Sequence, residues 1–198
     1  IWKTSVWIDG NKVEQNNNSL IAPHYFDLTE YLTPGDTHQI TLRIDNRKQF
    51  DISYQNLAHA YTNDTQIIWN GVIGKMRIEA SDPINISDLQ VYPNLDTKSL
   101  KVSVEIANTD QERVKGRLKT KVVCKETNKL FETQSQDVYL DSDEQIIDIN
   151  YFMSDEVKYW SEFSPNLYTC IVELETDSYQ SSESVDFGMR SFKANGDA

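Results

Sequence analysis

The chain is short of the residue types that several protein classes require. It has two cysteines, Cys124 and Cys170, in 198 residues. Two are too few for a disulfide framework, and their spacing fits no zinc motif. Basic residues are outnumbered, 19 against 31 acidic, for a formal net charge of −12. A domain this acidic repels phosphate backbones, so nucleic acid and a membrane are both rejected as partners. No apolar run approaches the ~20 residues of a membrane-spanning helix. No charged-then-apolar leader opens the chain; Ile1 already reads as strand, and the expectation is a piece of a longer protein. There is no Gly-x-Ser-x-Gly elbow, no phosphate-cradling glycine loop and no His-Glu-x-x-His. The three histidines, His24, His38 and His59, are scattered and read as surface or internally satisfied residues. The expected metals and cofactors are none.

What is present is alternation. Apolar residues make up 38% of the chain, enough to build a core, and they recur with the period of two that marks strands with one wet face. Val6 and Ile8 alternate with Ser5 and Trp7, and Asp9-Gly10 is a hairpin-turn signal that returns the chain to Lys12-Val13. His24–Leu28 reads as a short strand. Asp27–Leu32 reads as one helical turn, ended by Pro34-Gly35. Ile40, Leu42 and Ile44 share one face of a further strand. Met76, Ile78 and Ala80 alternate with Lys75, Arg77 and Glu79, until Asp82-Pro83 breaks the run. A second set begins at once with Ile84, Ile86, Leu89 and Val91.

About seven strands follow over 84–190. Their inward residues include Leu100–Ile106, Leu118–Cys124, Ile147–Tyr151, Tyr168–Leu174 and Val185–Met189, taken at every second position. Short alternating strands over about a hundred residues argue for a two-sheet sandwich. Tyr168 stands two residues before Cys170, the spacing of the tyrosine corner of immunoglobulin-like folds. Cys124 and Cys170 then fall on neighbouring strands of one sheet, as two buried thiols. Arg117, Lys119 and Lys121 form a basic outer stripe, read as a solvated face, with a docking surface as the alternative. Asp141-x-Asp143-Glu144 reads as a plain turn in preference to a calcium site. The three Asn-x-Ser/Thr triplets, at Asn17, Asn63 and Asn85, carry little weight.

Residues 46–68 lack sustained alternation. A loop this long in a compact domain is usually functional or disordered. Its aromatics, with Trp69 just beyond, and its amides would suit a glycan, since sugars stack CH faces on rings and offer hydroxyls to amides and carboxylates. The competing reading is a solvated loop whose aromatics cover the sandwich edge.

Several runs together carry a resemblance. They are Val6-Trp7-Ile8-Asp9-Gly10, Phe26-Asp27-Leu28-Thr29 with Leu32 and Gly35, Ile40–Asn46, the join Trp69–Pro93, Trp160–Tyr168 and Phe187-Gly188-Met189-Arg190. In this order and spacing the chain resembles glycoside hydrolase family 2, which includes β-galactosidases, β-glucuronidases and β-mannosidases. The resemblance implies an all-β fold. Residues 1–82 would be the C-terminal part of a jelly-roll, galactose-binding-like sandwich. Residues 83–190 would be an immunoglobulin-like β-sandwich, and 191–198 the start of a linker to an absent catalytic barrel. Family members carry their two catalytic glutamates on that barrel, so no catalytic residue is expected here. The implied substrate-binding residues are His59, Tyr61, Asn63, Asp64, Trp69 and Asn70, at the rim of the parent enzyme's pocket. The implied partners are carbohydrate, through the parent enzyme, and the barrel. A truncated first domain would leave strand edges unpaired, and the expectation is that it is either poorly ordered or paired with another chain, as in a homo-oligomer. The implied location is periplasmic or secreted. The rival reading is a free-standing carbohydrate-binding or structural β-sandwich module.

Overall fold

A computed structural model describes residues 2–19, 21–47, 71–110, 112–141 and 143–192. Among them every regular element is a strand, so the all-β reading holds. The chain divides into two units, Ile1–Ile78 and Glu79–Ala198.

Among its described residues the first unit forms a four-stranded antiparallel sheet around β1 (Lys3–Ile8). Strands β2 (Asn11–Lys12) and β3 (Asn17–Asn18) pair with successive halves of one edge, and β4 (Ile40–Asp45) runs along the other. Asp9 and Gly10 both have positive φ, 49° and 85°. That is the two-residue turn whose twist matches its strands. Val6, Ile8 and Val13 are buried, with Phe26, Leu28, Tyr31 and Leu32 packed on them. The single helical turn is present: Leu28 O accepts from Tyr31 N at 2.9 Å and from Leu32 N at 3.1 Å. Asp27 starts it by accepting from Thr29 N and Thr29 Oγ1.

Two expected strands are not formed. His24–Leu28 runs without a ladder partner because side-chain amides take its backbone groups. Asn17 accepts from Tyr25 N at 3.1 Å and donates to Tyr25 O at 2.6 Å, and Gln15 accepts from Asp27 N at 2.7 Å. Lys75–Ala80 alternates as expected but pairs with no strand among the described residues. Its would-be inward residues Met76 and Ile78 are exposed. For His24–Leu28, period alone does not make a strand; a facing ladder must supply the hydrogen bonds.

The second unit is a sandwich of a three-stranded and a four-stranded sheet. The first has the order β5 (Ile84–Asn94), β6 (Ser99–Asn108), β9 (Asp143–Phe152). The second has the order β11 (Gln180–Phe187), β10 (Tyr168–Thr176), β7 (Val114–Cys124), β8 (Gln134–Leu140). The fourth strand, β8, hydrogen-bonds to the third, β7, and so lies opposite the sheet that holds it in constant-type immunoglobulin domains. A bulge lies between Ile86 and Asp88, which is why the apolar spacing there steps by three, from Ile86 to Leu89. Ser181 Oγ on β11 accepts Ile86 N–H at 3.0 Å. Both sheets feed one core that includes Leu100, Val104, Leu118, Val122, Tyr151, Cys170 and Leu174.

Candidate functional site

The six expected substrate-binding residues, His59, Tyr61, Asn63, Asp64, Trp69 and Asn70, lie outside the described residues. What is described is where their segment starts. β4 ends at Asp45, whose carboxylate takes a forked guanidinium from Arg47, with Nε–Oδ1 3.0 Å and Nη2–Oδ2 2.6 Å. Arg47 N also donates to Asp45 Oδ1 at 3.0 Å, and Arg43 approaches at 3.6 Å. These donors hold the Asp45 carboxyl well below the usual range. The sequence reading took in the Asp45-Asn46 step but not Arg47. Its signal was an Arg two residues after a strand-ending Asp, a spacing that closes a local clamp.

Many of the described carboxylates are engaged by cations and hydroxyls. Asp137 on β8 is gripped by Lys115 and Arg117, at 3.0 and 2.8 Å. Lys119 reaches Glu175 at 2.7 Å and Lys121 reaches Glu173 at 2.6 Å. Lys125 pairs with Asp186, which also accepts from Thr169. The basic outer stripe is therefore neutralised from β8 and β10, which argues for the solvated face over the docking surface. Asp141 pairs with Arg113 at 3.1 Å, and the next described residue, Asp143, has φ 77°, in keeping with a turn. Among the described residues no cluster of three His, Cys, Asp or Glu side chains could hold a metal. His24 is satisfied by Thr4 Oγ1 and Ser19 O, at 2.7 and 3.0 Å.

Wherever a carboxyl shift is resolved among the described residues, it is downward. That covers Asp9, Asp27, Asp45, Asp137, Asp148, Asp155, Glu175 and Asp186, each lowered chiefly by hydrogen bonds to the ionised form. A general acid needs the opposite shift, as when burial keeps a proton on a carboxyl at neutral pH.

Buried tyrosines organise one end of the sandwich. Tyr168 begins β10, and its hydroxyl reaches back ten residues: Lys158 N donates to Oη at 2.7 Å, and Oη donates to Lys158 O at 3.1 Å. That is the tyrosine corner expected from the Tyr-x-Cys spacing. Tyr151 is fully buried and donates to Glu132 O at 2.6 Å; burial pushes its hydroxyl up to about 12.

The same end brings together two motifs that lie far apart in sequence. Trp160 N donates to Met189 O at 3.0 Å, and the Arg190 guanidinium sits 4.5 Å from the Trp160 ring centroid. Gly188 faces the same indole: a Cβ there would lie 2.9 Å from Trp160 Cβ. Gly188 is thus required by close approach. Sequence reasoning picked out the Trp160 and Phe187–Arg190 runs separately and missed that they form one staple.

The fold and these contacts define a class first: a two-unit all-β protein whose second unit is a sandwich closed by a tyrosine corner and a Trp–Arg staple. That sandwich, residues 84–190, matches the family model described as Glycosyl hydrolases family 2, and the chain belongs to that family. A β-galactosidase of Priestia megaterium (strain DSM 319 / IMG 1521) is 26% identical over 198 residues, covering 95% of this chain and 18% of that protein. Among solved structures, a glycosyl hydrolase family 2 member from Bacteroides cellulosilyticus DSM 14838 matches with TM-score 0.70 and 20% identity, over 96% of this chain and 25% of that one. A Bacteroides uniformis β-glucuronidase matches with TM-score 0.68 and 14% identity, over 99% and 24%. The chain spans about a fifth of the β-galactosidase's length and about a quarter of these solved chains.

Proposed function

We propose that this chain is a non-catalytic accessory region of a β-galactosidase-like family 2 glycoside hydrolase acting in carbohydrate metabolism. In this reading residues 1–82 are the remainder of a jelly-roll sugar-binding domain and residues 83–190 an immunoglobulin-like support. The support holds the catalytic barrel that follows, and loop 46–70 is lent to the rim of the substrate pocket. The parent enzyme works outside the cytoplasm on a non-reducing terminal sugar.

The observation that carries the reading is that the family match falls on the sandwich, while the chain covers only 18% of the β-galactosidase. The carboxylates support it. Retaining glycosidases need two carboxyls about 5 Å apart, one of them protonated at working pH. Among the described residues the resolved carboxyl shifts all favour the ionised form. The test is to measure the mass of the native gene product, then to assay it and residues 1–198 alone on nitrophenyl β-galactoside. A mass several-fold above 22.9 kDa, with activity confined to the long form, is expected. Turnover by residues 1–198 alone would overturn the reading.

A further inference from the structure

Among the described residues the sandwich has its sheet edges at β5, β9, β11 and β8. Three of these edges carry a device that blocks further pairing. β5 is bent by the bulge between Ile86 and Asp88, contains Pro93, and has its Ile86 N–H taken by Ser181 Oγ. β11 sets Glu183 opposite the buried Val172, so a charge projects from its inner face. β8 is short, at seven residues, and Tyr139 O accepts from Gln145 Nε2 at 3.1 Å. β9 has none of these. It is ten residues long, pairs with β6 without a register shift, and contains no proline, lysine or arginine. Among the described residues no strand lies on its other side.

The direction of the backbone groups follows from one bond. Met153 N donates to Lys98 O at 2.9 Å, one step past the Ser99–Phe152 pair. Hydrogen-bonded pairs alternate along an antiparallel ladder. Tyr151, Ile149 and Ile147 therefore turn their N–H and C=O toward β6, and Phe152, Asn150, Asp148 and Ile146 turn theirs away from it. The side chains of these last four are exposed on the outer face of the sheet, Ile146 by 67% and Phe152 by 64%. Gln134 Nε2 reaches Phe152 O only at 3.5 Å, a long contact that a better donor would displace. Backbone donors and acceptors thus line this edge beside two apolar side chains held in water.

We propose that β9 is a self-pairing edge, along which two copies of this chain join antiparallel about a two-fold axis at Ile149. The register follows from the side chains. Outward residues must meet outward residues, or every apolar side chain changes face. An axis at Asp148 would set that carboxylate against its own copy, and an axis at Ile147 would set Ile146 against the partner's Asp148. An axis at Ile149 sets Ile146 opposite the partner's Phe152 and Asp148 opposite the partner's Asn150. On the inner face Ile149 then meets its own copy, and Ile147 meets the partner's Tyr151. These are apolar and neutral-polar pairs of the kind that stabilise a sheet. Lys101, 2.9 Å from Asp148, compensates that carboxylate within its own chain. The paired edges exchange about eight N–H···O bonds, and the two three-stranded sheets become one. The contact is isologous, so it closes at a dimer. It goes beyond the accessory role proposed above and does not depend on it.

The test uses the intact gene product. The native protein, Ile146→Lys, Asn150→Pro and, as a control on the β5 edge, Tyr92→Ser are compared by sedimentation velocity. The native protein should self-associate at concentrations on the order of 10 µM. I146K places a charge on an exposed edge position. N150P removes an N–H that points away from β6, so the fold is kept. Each should weaken association about tenfold, and Y92S should leave it unchanged. Ile149→Cys reads the register, because its thiols would face each other across the axis in a closely spaced pair within disulfide reach. Mild oxidation should give a dimer whose bridging peptide carries position 149 from both chains, and adding N150P to the same chain should abolish it. A native protein that stays monomeric to about 100 µM overturns the pairing. So does an oligomer in which I149C forms no such bridge. Either result leaves the accessory role standing, since that is decided by the nitrophenyl β-galactoside assay.

Discussion

The hydroxyl of Tyr168 satisfies both backbone groups of Lys158, accepting from its N–H at 2.7 Å and donating to its C=O at 3.1 Å. This one side chain closes the long connection from β9 back to β10. Its ring is held edge-on by Phe131, centroids 5.8 Å apart, and stacked by Phe187 at 5.6 Å. Replacing it with Phe keeps the packing and strands two polar groups in a part-buried site. Tyr168→Phe should therefore destabilise the sandwich by about 1–3 kcal/mol, read as a lower urea midpoint at unchanged slope. A midpoint equal to the native one would remove the corner's structural role.

Gly188 tests the staple. A methyl group there meets Trp160 Cβ at 2.9 Å and the indole ring at 3.0 Å, so the Trp160 side chain or the backbone beside it must shift. Gly188→Ala should cost about 1–3 kcal/mol, as overpacking does. The ring sits at the surface end, so a shift in tryptophan emission is the direct readout. Native emission and stability in the variant would show that the loop yields freely.

These two sites also show what could be read from sequence. The Tyr-x-Cys spacing names a local geometry, and local geometry is what a sequence motif encodes. The inward rows of β6, β7 and β10 were legible for the same reason, since burial on one face leaves a strict period of two. His24–Leu28 had the period without a ladder partner, and Lys75–Ala80 pairs with no strand among the described residues. Whether a strand forms depends on what lies beside it, and Asn17 and Gln15 outcompeted a ladder for the first of them. The basic stripe was visible, but its neutralisation by Asp137, Glu173 and Glu175 needed the register of three strands. The Trp160–Arg190 contact joins residues thirty apart through a fold. The expected sugar-binding residues from His59 to Asn70 fall outside the described residues.

The thiols should differ in reactivity. Cys124 ends β7, opposite Tyr168, and Cys170 lies deep in β10, opposite Val122. Both are free. Burial pushes the Cys170 thiol up to about 12, whereas a hydrogen bond with Thr127 lowers that of Cys124. The thiolate is the nucleophile, so in the native protein a maleimide should label Cys124 first. Cys170 should wait for unfolding. Peptide mapping after a short exposure at pH 8 checks the order, and equal labelling would contradict it.

His38 and Asp9 tie the hairpin turn to the start of β4. Nδ1 lies 2.6 Å from Asp9 Oδ2, while Asp9 Oδ1 accepts Gln39 N–H at 2.7 Å. The hydrogen bond to Asp9 raises the His38 pKa above 6.5, and hydrogen bonds from Gln39 and His38 lower the Asp9 pKa below 3.8. The two groups act in opposite senses. His38 contributes stability that is full below about 6.5 and is lost as pH rises through its raised folded value. Asp9 contributes stability present above about 3.9 and lost as pH falls through its lowered folded value. The pair therefore supports the first unit most between those limits, in mildly acidic solution. Protonation also has a local consequence at Nε2, which accepts Thr33 N–H at 3.0 Å when neutral and faces Thr33 O at 3.3 Å when charged. An NMR titration should place the His38 midpoint above 6.5, and Asp9→Asn should bring it back down. Were the midpoint to stay the same in the variant, the carboxylate would not be its cause.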